Sequence, residues 1–158
     1  MVRLERVVIE GFKSFKRRIS IPFPTNFSVV TGPNGSGKTN VTDSISFVLG
    51  ISSSRPLRAK KAQDLIFHGY KQKLGSDFAK VGLFFSGKEK NNEISVSRRI
   101  NKNGVSTYRT TGRIVTKEQV IDELSQINVH ADGHNIIKQG DVTRVIEMDP
   151  TERRQILD

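Results

Sequence analysis

The run Gly32-Pro33-Asn34-Gly35-Ser36-Gly37-Lys38-Thr39 constrains this chain more than any other feature. It matches Gly-x-x-x-x-Gly-Lys-Ser/Thr at every fixed position. Its flanks are those such a loop needs. Before it, Asn26–Thr31 contains Phe27-Ser28-Val29-Val30, a β-branched run that suits a buried strand. After it, Val41, Ile45, Val48 and Leu49 recur at helical spacing over Lys38–Leu49, and Gly50 stands where a glycine closes a helix. Glycines let the backbone curl so that successive N–H groups point at phosphate oxygens, and the helix N-terminus adds the positive end of its dipole. In that geometry Lys38 reaches the β- and γ-phosphates and the Thr39 hydroxyl sits on Mg²⁺. The loop predicts an ATP-type ligand with Mg²⁺ on an α/β fold.

The remaining pattern places this unit beside an antiparallel one. Residues 2–10 read as a strand, Gly11-Phe12-Lys13-Ser14-Phe15 breaks it, and Arg17–Pro22 is a second short strand. Ser52–Lys61 is a polar, basic loop, and Ala62–Phe67 is a short helical turn. Lys80–Ser86 and Glu93–Ile100 read as strands. Asn103-Gly104 predicts a type I′ hairpin joining Glu93–Lys102 to Val105–Thr110. Thr111-Gly112 is a second turn, leading to Arg113–Val115. Thr116-Lys117-Glu118-Gln119 fits a capping box for a helix that buries Val120, Leu124 and Ile127. Asn135–Lys138 is a short strand ending at Gln139-Gly140, and Asp149-Pro150-Thr151-Glu152 opens a further helix. The fold class expected is α/β: a P-loop lobe of the ATP-binding-cassette type, with a mixed sheet and an antiparallel β subdomain.

The 158 residues suit one domain, and the absence of cysteine excludes disulfides, thiolate metal sites and a cysteine nucleophile. No apolar run approaches the roughly 20 residues of a membrane span. The charged N-terminus lacks the apolar core of a signal peptide, so nothing points to export. The net charge of +10 is uneven: residues 1–117 hold +15 and the last 41 residues hold −5. A positive field of this kind draws polyanions. Arg98, Arg99, Lys102, Arg109 and Arg113 make the β region a candidate DNA platform, although alternation puts Arg98 and Arg99 on opposite faces. His130 and His134 lie four apart with Gly133 between them and no third ligand, which argues against a metal site.

Hydrolysis needs more than the loop. An acid at the end of a buried strand must hold Mg²⁺ and orient water. The one candidate, Val120-Ile121-Asp122-Glu123, lies in a helical-period stretch and reads as a solvent face. Half of an ATPase site is therefore missing from the sequence.

Taken together, these residues resemble the N-terminal half of the ATPase head of structural maintenance of chromosomes (SMC) proteins, most like prokaryotic members, archaeal ones included. The resemblance is carried by Gly11–Phe15, Gly32–Asn40, Phe47-Val48-Leu49-Gly50, Leu57-Arg58-Ala59, Asp64-Leu65-Ile66, Asn135–Asp141 and Pro150–Arg154, in the family's order. It implies that residues 1–158 are one lobe of a head, a fragment whose Walker B acids and signature motif come from a distant C-terminal segment after a coiled coil. It implies that Gln139 is the Q-loop glutamine on Mg²⁺ and that Arg58 approaches the nucleotide. Lys13, Ser14 and Asn40 join the loop residues in binding it. Further implications are a second head bound through ATP, DNA as substrate, a kleisin-type accessory subunit, and a cytoplasmic, chromosome-associated location without membrane. Such a lobe would hydrolyse ATP barely, if at all, by itself. Three alternatives stand beside this reading: the head of a related double-strand-break repair ATPase, a DNA-binding module with a relic P-loop, and a small kinase.

Overall fold

The computed structural model describes residues 2–25, 27–50, 59, 61–69, 75–87 and 93–129. Its frame is a six-stranded sheet: β1 (Arg3–Glu10), β2 (Ile19–Pro22), β3 (Phe78–Ser86), β4 (Glu93–Asn101), β5 (Ser106–Thr110) and β6 (Arg113–Val115), in the order β2-β1-β3-β4-β5-β6. Two helices accompany it, α1 (Lys38–Val48) and α2 (Lys117–Gln126), with a 3₁₀ turn at Ala62–Leu65. All these strand pairings are antiparallel.

Alternation along the strands decides which face carries the helices. Val7 and Ile9 of β1, Val81 and Leu83 of β3, Val96 and Ile100 of β4, and Tyr108 of β5 turn to one side and are buried. Phe47, Val48 and Leu49 from α1 and Val120 and Leu124 from α2 complete that core. Arg98 is half-buried against it. Its guanidinium lies over the Phe47 ring at 4.3 Å, donates to the Phe47 carbonyl oxygen at 3.0 Å, and donates to Ser106 Oγ at 3.3 and 3.1 Å. Burial lowers its pKa while Tyr108 opposes the shift. Arg98 thus ties the end of α1 to the sheet.

The capping box forms as the sequence predicts. Gln119 N donates to Thr116 Oγ1 at 3.3 Å, and Thr116 N donates to Gln119 Oε1 at 2.9 Å. The turn at Thr111-Gly112 joins β5 to β6 as expected, but the Asn103-Gly104 hairpin differs from expectation. The turn at Asn101–Gly104 is closed by Gly104 N donating to the Asn101 carbonyl oxygen, and Gly104 has a φ of 81° while Asn103 is not at positive φ. It is therefore not type I′. The Asn101 side chain accounts for this, because its Oδ1 accepts from the backbone of Asn103 and Val105, both at 3.0 Å, and fixes a longer loop. Both central residues at positive φ occur instead at Thr111 (42°) and Gly112 (83°) between β5 and β6. A β-branched residue in that region is strained. Thr111→Asn keeps the backbone bond from Thr111 N to the Ser95 carbonyl oxygen and suits the dihedral. We expect it to raise the free energy of unfolding by about 1 kcal/mol; an unchanged denaturation midpoint would show that the turn stores no strain.

One expected strand is absent. Residues 27–31 are unpaired, and Phe27, Val29 and Val30 are 81%, 67% and 46% exposed. The parallel part of the expected mixed sheet would start from this segment. A parallel strand is buried between neighbours, and no described strand lies beside this one. The expected strand at Asn135–Lys138 and the helix opening at Asp149 lie outside the described residues.

Candidate nucleotide-binding site

The loop and α1 meet at Gly37, the N-cap of the helix, with a φ of 94°. A Cβ there would lie 3.1 Å from Ser14 Oγ, so the dihedral favours glycine and the space beside it is tight. No side chain caps the helix and no acid occupies its first turn, which leaves the positive end of the dipole open to an anion. Lys38 Nζ donates to the carbonyl oxygens of Gly32 and Pro33 at 2.7 and 2.8 Å. The ammonium is thereby folded over the loop where phosphates would lie. Asn34, Gly35, Gly37, Lys38, Thr39 and Asn40 line a cleft of about 290 Å³.

A second cleft adjoins it through Asn40, which lines both. It has a volume of about 620 Å³ and is lined by Lys13, Ser14, Asn40, Asp64 and residues 66–69. Its floor depends on the turn after β1. Phe12 is fully buried, its ring centroid 5.3 Å from that of Phe47. Lys13 has a φ of 48°, and its backbone N donates to the Leu65 carbonyl oxygen at 2.8 Å. Two side-chain bonds then fasten the turn to α1. Asn40 Nδ2 donates to Ser14 Oγ at 2.9 Å, and Lys13 Nζ pairs with Asp43 Oδ2 at 2.5 Å in a contact that leaves both side chains almost buried.

The structure therefore brings Lys13, Ser14, Gly37, Lys38, Thr39 and Asn40 together, with Asn34, Gly35 and Ser36 on the loop above. Arg58 and Gln139 lie outside the described residues, as do His130 and His134. Asp122 and Glu123 are exposed on α2, as the helical period predicts, and Glu123 Oε1 accepts from Thr110 Oγ1 at 3.2 Å. Among the described residues no cluster of three or more His, Asp or Glu is arranged to hold a metal ion. Asp43 was missed by sequence reasoning. Its position four residues after Thr39 was a signal, since that spacing returns to the same helix face.

The five basic residues of the β region do not share a face. Arg98 is half-buried on the core face. Lys102 is paired with Asp77 at 2.6 Å and holds that carboxyl below its ordinary range. Arg99 and Arg109 stand on the outer face of the sheet, and Arg113 lines a cleft beside α2.

Comparison with known proteins places these features in context. Residues 3–132 match the family model described as RecF/RecN/SMC N terminal domain. The whole chain is 37% identical to the chromosome partition protein Smc of Pyrococcus furiosus, of which it spans 14%. A chain from a study of ATP-driven dimerization and DNA-stimulated activation of SMC ATPases is 36% identical, with a TM-score of 0.88 covering 98% of this chain and 97% of that one. The Smc head domain of Pyrococcus furiosus, with an extended coiled coil and bound to the C-terminal domain of ScpA, is 37% identical. Its TM-score is 0.90, over 99% of this chain and 41% of that one.

Proposed function

The chain belongs to the family of RecF/RecN/SMC N-terminal domains, and we propose from that premise that residues 1–158 work as the ATP-binding lobe of a chromosome-organising ATPase. The observation that carries this reading is a half-site. A phosphate loop with its lysine in place is approached by an apolar segment, Phe27–Val30, that no described residue covers. A second lobe of the same protein, the C-terminal one, would cover that segment and supply the acid that the described residues lack.

In this reading the loop N–H groups, Lys38 and the N-terminus of α1 bind the phosphates, and Thr39 with Gln139 holds Mg²⁺. The residues present suit those ligands, since the α1 N-terminus is free of acid and a hydroxyl follows the lysine. The metal, when bound, offsets charge on the transferring phosphoryl group. Lys38 neutralises the same region, and the amide of Gln139 orients water without adding charge. Arg58 adds a guanidinium near the phosphates. Lys13, Ser14 and Asn40 line the cleft for the rest of the nucleotide. The ATP-dependent dimerization named for one relative and the ScpA complex named for another suggest a second head and a kleisin-type subunit as partners, and DNA as the substrate of the whole protein. Chromosome association in the cytoplasm follows from that substrate.

The test joins this chain to the C-terminal half-head. ATP turnover should be near background for the chain by itself and appear on co-purification. Phe27→Asp, at a site 81% exposed, should change the chain's stability by under about 0.5 kcal/mol yet block co-purification and turnover. Robust turnover by the chain alone, or a Phe27→Asp protein that assembles normally, would refute the two-lobe reading.

A further inference from the structure

The face of the sheet opposite the helices carries a trough that the nucleotide site does not use. Its floor is one register row crossing the strands: Val8, Gly82 and Ser97, with Arg109 and Ile114 at the β5–β6 end. Glycine and serine make the floor low. The adjoining row, Glu10, Lys80, Arg99 and Thr107, forms one wall, and Phe84 and Ser95 form the other. Two residues either side of the floor row put the walls about 13 Å apart. The cavity is about 740 Å³ and, with Arg18 at its rim, has four cations and one carboxylate, Glu10, along its lining. Among the described residues, no element covers this face.

We propose that the trough is a docking site for an acidic, extended protein segment in which carboxylates alternate with apolar residues. Charge complementarity supplies the first argument: Arg99 and Arg109 present guanidinium forks, which match carboxylates in two-pronged geometry. The mixed lining supplies the second. Val8, Phe84 and the 67% exposed Ile114 stand among the cations, so a ligand with apolar side chains gains by burying them. Nucleic acid is disfavoured on both counts. The Phe84 ring is covered by Arg6 at 4.0 Å and the Phe78 ring by Arg99 at 4.2 Å, which leaves no stacking platform of the kind single strands use. A duplex, being rigid, would rest on the rim and leave the floor empty. The five strands that the floor crosses, spaced about 4.8 Å apart, accommodate about six residues of extended chain.

The test uses a labelled peptide of alternating glutamate and valine, a charge-swapped lysine–valine peptide, and a single-stranded oligonucleotide, each titrated against the chain. Arg99→Glu with Arg109→Glu should weaken the glutamate peptide by tenfold or more. Ser97→Tyr, which fills the floor without changing charge, should do likewise. Arg113→Glu with Lys16→Glu makes the same charge change away from the trough and should leave binding within about twofold. Amide resonances of Gly82 and Ser97 should move on titration, and ATP binding by the variants should be unchanged. Equal loss in the control variant would reduce the effect to net charge and overturn the proposal. So would an oligonucleotide that shifts Gly82 and Ser97 and binds more tightly than the peptide, or a Ser97→Tyr protein that binds as the parent does.

Discussion

Lys38→Ala should lower the affinity for Mg·ATP by about 100-fold. The lysine contributes charge-assisted bonds to phosphate oxygens, each worth about 1.5–3 kcal/mol. Before nucleotide arrives it is not idle: it holds the carbonyl oxygens of Gly32 and Pro33 at 2.7 and 2.8 Å. Those bonds must be exchanged on binding, which offsets part of that contribution and keeps the net loss near the value given. Alanine is a better helix former than lysine at the first position of α1, so the fold should survive. Calorimetric titration of the chain, alone and joined to its C-terminal lobe, checks this. A Lys38→Ala protein that binds ATP as tightly as the parent removes the loop from the site altogether.

What the sequence discloses follows the range of the forces involved. Local rules succeed where a single segment satisfies them. The Thr116–Gln119 capping box is reciprocal within four residues, and Gly50, at a φ of 77° after α1, ends the helix without outside help. The P-loop is legible for the same reason, since its chemistry depends on consecutive residues. Errors arise where another segment decides. The β-branched run at 27–30 suits a buried strand, yet burial needs a partner that no described residue provides. Asn103-Gly104 suits a type I′ turn, yet the side chain of Asn101 captures two backbone N–H groups and sets a different loop. Alternation sets Arg98 on the face opposite Arg99, but that it ties α1 to the sheet shows only when Phe47, 51 positions away, is seen to accept its hydrogen bond. The roles of Arg58 and Gln139 rest on resemblance, because neither is among the described residues.

The Lys13–Asp43 pair is the clearest case of a long-range contact that the sequence conceals, and it yields the second large effect. The side chains are 12% and 10% exposed, and the pair bridges the turn after β1 and the second turn of α1. Replacing Asp43 by Asn keeps the shape and removes the carboxylate that pairs with the nearly buried Lys13 ammonium. Breaking a buried pair in this way costs about 3 kcal/mol or more, against which the strain of holding Lys13 at a φ of 48° is small. Asp43→Asn should therefore move the denaturation midpoint far more than Thr111→Asn does, and in the opposite direction. Lys13→Met in the same background should recover much of the loss, because it removes the charge that Asp43 balances. A double-mutant cycle of the two would then give a coupling above about 1.5 kcal/mol. Additive effects would mean that Asp43 does not compensate Lys13. In that case the turn would not be rigidly fastened to α1, and Ser14 and Asn40 would have to hold the edge of the cleft by their single 2.9 Å bond.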